Sequence, residues 1–76
     1  MTLSEFLTKE KITRSDAEAQ AYVYYNRVSV NGEDPRSPFI RMKEGNIVIL
    51  LEYDTNTMKN ARILQKIYRE ESLHEL

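Results

Sequence analysis

Five cations, Lys11, Arg14, Arg27, Arg41 and Lys43, and the tyrosine-rich stretch YVYYNRVSVNGE hold the side chains of this sequence best suited to binding chemistry. Lysine and arginine donate hydrogen bonds to phosphate oxygens, and an exposed ring can stack on an unpaired base or anchor a protein contact. Covalent chemistry has fewer candidates. His74 is the one histidine, and no Ser-His-Asp arrangement or metal-ligand spacing accompanies it. Glu70, Glu71 and Glu75 cluster near the end of the chain as solubilising groups, and Gly32 and Gly45 are too isolated to cradle a phosphate. The expectation is a non-enzyme with no cofactor and no bound metal.

The 76 residues allow one small domain, which buries roughly 60% of its unfolded surface. Without cysteine, neither a disulfide framework nor a thiolate zinc site can hold the fold. Eleven basic and twelve acidic residues are mixed along the chain and give a net charge of -1, so any polyanion site must be a local patch. No run approaches the ~20 apolar residues that span a bilayer, and MTLSEFLTKEK lacks the pattern of a secretion signal. A cytoplasmic protein without a membrane partner is expected.

Those side chains must be positioned by short elements. Thr2 with Glu5 forms a capping box for a helix over Ser4–Lys11, whose Leu3, Phe6 and Leu7 face a core closed by Ile12. Ser15 with Glu18 caps a second helix that runs to about Tyr25, with Asp16 at the favourable end of its dipole. Asn26 then suits the left-handed residue that reverses the chain. Val28 and Val30 alternate with Ser29 and Asn31 as a half-buried strand ending at Asn31-Gly32, and NGEDPRSP is a loop. Phe39–Met42 reads as a short strand. Gly45 turns the chain into NIVILLEY, which is apolar on both faces: Ile47, Ile49, Leu51 and Tyr53 on one, Val48 and Leu50 on the other. From residue 54 to 76, Met58, Ala61, Leu64, Ile67 and Tyr68 recur at helical spacing, which predicts an amphipathic helix that covers the Val48 and Leu50 face. Lys59, Arg62, Lys66 and Arg69 then form a basic stripe on its opposite side, a solvated face or a phosphate-facing one, and a candidate partner-binding set.

The order FLTKEKI, TRSDAEAQAYV, VSVNGE, Pro38 and KEGNIVIL resembles the alpha-L (S4-like) RNA-binding domain family over roughly residues 3–52. Ser15, Glu18, Ala19, Val28, Val30, Asn31, Gly32 and Gly45 agree with it in type and spacing. The resemblance implies an α+β fold, two N-terminal helices on a short, curved, mostly antiparallel sheet, formed by residues 1–53, with residues 54–76 as an added helix. It also implies a groove between the second helix and the Val-Asn-Gly strand that binds structured RNA, ribosomal RNA or tRNA among the classes. The implied RNA-binding set is Lys11, Arg14, Ser15, Gln20, Tyr24, Arg27, Asn31, Arg41 and Lys43. The sequence departs from the family where Asp16, Gln20, Ala21 and Tyr24 stand at positions that are commonly basic in it, which lowers the phosphate-binding charge and implies weak or selective binding. Tyr22 and Val23 fall at core positions of the family. Tyr24 and Tyr25 fall at outer positions, to stack on bases, dock the last helix or bind a protein. A protein-interaction module built from Tyr24, Tyr25 and the last helix is therefore the competing reading, and pairing of that helix with a second copy is a third.

Overall fold

Thr2 starts the first element. Its hydroxyl accepts the Glu5 N–H at 3.1 Å while Glu5 Oε1 accepts the Thr2 N–H at 2.8 Å, so two amides at the helix start are satisfied reciprocally. The computed structural model describes residues 1–70, the side chains of Tyr53 and Asn60 excepted. In it this cap opens α1, Leu3–Lys9, which ends earlier than the sequence predicts because Lys11 adopts a left-handed backbone at φ 60°. The second predicted cap also forms. Ser15 Oγ accepts the Glu18 N–H at 3.1 Å and opens α2, Asp16–Tyr24, and Glu18 reaches back one residue beyond the cap, to the Arg14 N–H at 2.8 Å. Asn26 reverses the chain at φ 59° as expected.

Three strands follow: β1, Val28–Val30, β2, Ile47–Asp54, and β3, Lys59–Ile67. They form one antiparallel sheet in the order β1-β2-β3. The fold is thus α+β, with two helices and a three-stranded sheet among the described residues. Phe39–Met42 is not a strand. Arg41 makes only an isolated bridge to Thr2, with Leu3 and Met42 amides bonding to Ile40 and Met1 carbonyls.

The larger correction concerns residues 54–70, where the predicted amphipathic helix is replaced by the β2–β3 hairpin. Its turn is held by Asp54, whose Oδ1 accepts the Asn56 N–H at 2.9 Å and whose carbonyl accepts the Met58 N–H at 2.7 Å. The residues that mimicked helical spacing are split by a β-bulge: Leu50 pairs with Leu64 but Leu51 pairs with Arg62, leaving Ile63 extra. An inserted residue shifts the period-two alternation by one, so apolar and basic residues recur at three and four. Glu71, His74 and Glu75 lie outside the described residues, as does the remainder of the predicted helix.

The core is built from Leu3, Phe6, Leu7, Ala19, Val23, Val28, Met42 and Val48, with Val30, Leu50, Tyr22 and Tyr68 packed against it. The Val48 and Leu50 face of β2 is therefore packed with residues of α1 and α2, and residues 54–70, expected to cover it as a helix, form the hairpin and the segment after it. Tyr68, just past β3, contributes an edge-on ring contact to Phe6, with centroids 5.5 Å apart. Ile47, Ile49, Leu51 and Ile67 belong to the opposite face and lie outside this core.

Candidate nucleic-acid interface

The Asn31-Gly32 turn is fixed by its own strand neighbour. Asn31, at φ 54°, donates its N–H to the Ile47 carbonyl at 2.8 Å and accepts the Ile47 N–H on Oδ1 at 2.8 Å, while Gly32 follows at φ 82°. A side-chain oxygen thus extends the β1–β2 ladder by one step, which assigns Asn31 Oδ1 to positioning rather than to ligand recognition. Beside this turn lies an open depression of about 360 Å³, flanked by Asn31, Arg36, Arg41, Lys43, Glu33 and Asp34. Arg41 is brought there by the bridge to Thr2, and Lys43 by the turn in which its N–H donates to Asn46 Oδ1 at 2.7 Å. Arg36 is a member that sequence reading missed. Its only signal was its place in NGEDPRSP, a loop that returns beneath the turn through the Val30 and Glu33 backbone pair.

The α2 end of the expected site is arranged differently. Lys11, Arg14 and Ser15 lie at the exposed junction between the helices, where Thr8 shares its hydroxyl proton between the Ser4 carbonyl and Asp16 Oδ1, at 3.0 and 2.9 Å. Asp16 therefore joins the two helices besides placing negative charge at the start of α2. Arg27 is partly buried, its guanidinium 5.3 Å from the Tyr22 ring centroid, a cation–π contact that holds it against the protein. Gln20 is half-buried on α2.

Tyr22 packs on the core as expected, whereas Tyr24 and Tyr25 are 64% and 73% exposed. With no helix in the described C-terminal residues to dock on, their rings face solvent at the end of α2. Asn31, Arg41 and Lys43 are brought together with Arg36; Tyr24 and Tyr25 form a separate exposed pair.

The predicted basic stripe is dispersed. Register places Arg62 on the outer face of the sheet, where its guanidinium reaches Gln65 Oε1 at 3.4 Å, and Lys59 and Lys66 on the helix-facing side. Arg69, past the end of β3, pairs with Glu44 at 3.0 Å. The Glu70 N–H and then Arg69 hold the Glu44 carboxyl below its ordinary 4.5, and the Thr2 N–H does the same for Glu5.

Among the described residues there is no group of three or more His, Cys, Asp or Glu side chains placed to hold a metal ion, and no helix long and apolar enough to cross a membrane. No protein-family model, curated protein or solved structure matches the chain.

Proposed function

We propose that this protein is a small, non-enzymatic RNA-binding module that grips the backbone of structured RNA through Arg36, Arg41 and Lys43 beside the Asn31-Gly32 turn. The observation that carries the reading is the convergence of these three cations from two separate segments on one open depression. The resemblance to the alpha-L family supports the same end of the molecule. Glu33 and Asp34 on the rim oppose phosphate on one side, so binding is weak and depends on the shape of the RNA. The absence of cysteine suits a reducing cytoplasm.

Titration of RNA hairpins of different sequence tests this reading. Arg41→Ala and Lys43→Ala each weaken binding to all hairpins alike, and each makes the slope of log affinity against log salt shallower by roughly one. Absence of binding by the parent protein at low salt overturns it.

A second reading, a protein-docking surface at Tyr24 and Tyr25, is favoured by the exposure of both rings. It predicts that Tyr24→Ala and Tyr25→Ala abolish capture of a protein partner while leaving hairpin binding untouched. The homo-oligomer reading loses its original basis, because the segment expected to pair as a helix is β3.

A further inference from the structure

The outer edge of β3 has no strand beside it among the described residues. Its hydrogen-bonding groups can be assigned from the register. Ile47 directs its N–H and C=O toward Asn31, so Val48 engages Lys66 on β3, and the alternate residues Gln65 and Ile67 direct theirs away from the sheet. Tyr68 closes the row: its N–H donates to the Asn46 carbonyl and its carbonyl accepts the Gly45 N–H, both at 2.9 Å. The bulge at Ile63 disturbs the edge nearer the hairpin tip. A regular free edge therefore remains at Leu64–Ile67.

Charge selects what can lie there. β3 itself carries Lys59, Arg62 and Lys66 and no acidic residue, while Arg69 beyond it is already paired with Glu44. A second copy adding to the same edge would set cations against cations, which disfavours self-pairing. An acidic strand meets the opposite field. Apolar surface accompanies it: Ile47 and Ile67 are both exposed on the outer face. A cleft of about 300 Å³ opens at the end of the edge between α1 and β3, lined by Met1, Phe6, Lys9, Ile67 and Tyr68 among others. Main-chain hydrogen bonds supply affinity in strand addition, and pockets for alternate side chains supply specificity.

We propose that the β3 edge at Leu64–Ile67 accepts an extended acidic–apolar peptide segment of a partner protein as a fourth strand, with an apolar side chain of that segment seated in the cleft beside Tyr68. This site is separate from the RNA-binding depression and does not depend on it. Polyanionic RNA fits the edge less well, because nucleic acid offers no alternating main-chain donors and acceptors to match Gln65 and Ile67.

The test is NMR titration of the protein with a capped peptide alternating glutamate and valine, about eight residues long. Gln65 and Ile67 amides are expected to shift and to gain protection from hydrogen exchange. Gln65→Pro, a substitution an edge strand tolerates when the N–H faces outward, weakens the peptide by about tenfold or more, and Gln65→Ala does not. The same weakening follows in the unaltered protein when the peptide is N-methylated throughout, which keeps the result independent of how the proline variant folds. A lysine–valine peptide does not bind. Equal binding of the N-methylated peptide, shifts confined to residues away from β3, perturbation of Gln65 and Ile67 by an RNA hairpin but not by the peptide, or dimerisation through β3 would each overturn the proposal.

Discussion

The helical half and the β2–β3 hairpin solve the problem of a small chain in opposite ways. Around α1 and α2, Leu3, Leu7, Ala19 and Val28 are fully buried and capping side chains satisfy both helix starts. Beyond Leu50 the hairpin has no β1 partner, and Met58 and Ile63 are largely exposed. A two-stranded ribbon is marginal by itself in water, so the distal hairpin depends on the sheet at its base. The contrast separates the part of the molecule that holds the fold from the part available for contact.

Paired substitutions sharpen this contrast most. Leu7→Ala, which leaves a cavity under α1, is expected to cost about 2–5 kcal/mol in denaturant melts, and Ile63→Ala within about 0.5 kcal/mol. Equal losses would break the comparison and place the hairpin within the stabilising core. Capping side chains give a smaller difference. Ser15→Ala is expected to cost about 1 kcal/mol through its lost bond to the Glu18 amide, and Asp54→Ala about half as much, since its turn is solvated.

The smallest expected effect is on acid stability. Glu44 has a pKa lowered in the folded state by the Glu70 N–H and Arg69, so its contribution is fully present above the ordinary carboxylate range and is lost as pH falls through the lowered value. Thermal melts from neutral pH to well below 4.5 should therefore show a shallower acid decline for Glu44→Gln than for the parent protein. An unchanged decline would remove Glu44 as a clamp between the turn before β2 and the chain after β3.

The helical half was the more legible in sequence because its signals are local. Thr2 with Glu5, Ser15 with Glu18, and Asn26 each act within a few residues; Thr2, Glu5, Ser15 and Asn26 perform their expected roles, and Glu18 reaches back one residue further than expected. The hairpin was misread because the bulge at Ile63 is a tertiary event: without knowing that Leu51 faces Arg62, the spacing of Ala61, Leu64, Ile67 and Tyr68 matches a helix. Phe39–Met42 was misread for a related reason. Ile40 and Met42 pack from an irregular segment tied to Met1 and Leu3, whose distance in sequence hides the pairing, while Phe39 stays exposed. At the candidate site, residue types were visible but their commitments were not, since Arg27 resting on Tyr22 and Asn31 bonding to Ile47 depend on side-chain geometry.

The molecule measures 50 × 21 × 20 Å, and β3 alone extends about 30 Å at the usual rise per residue. A rod of that length does not fit across either short dimension, so the hairpin runs along the long one. Brownian rotation is consequently anisotropic. The N–H bonds in β2 and β3 point across the strands and lie perpendicular to the long axis, about which rotation is fastest, while those of obliquely placed segments sample other orientations. Nuclear spin relaxation of the unliganded protein will carry this directional signature and report the hairpin's alignment before any partner is added.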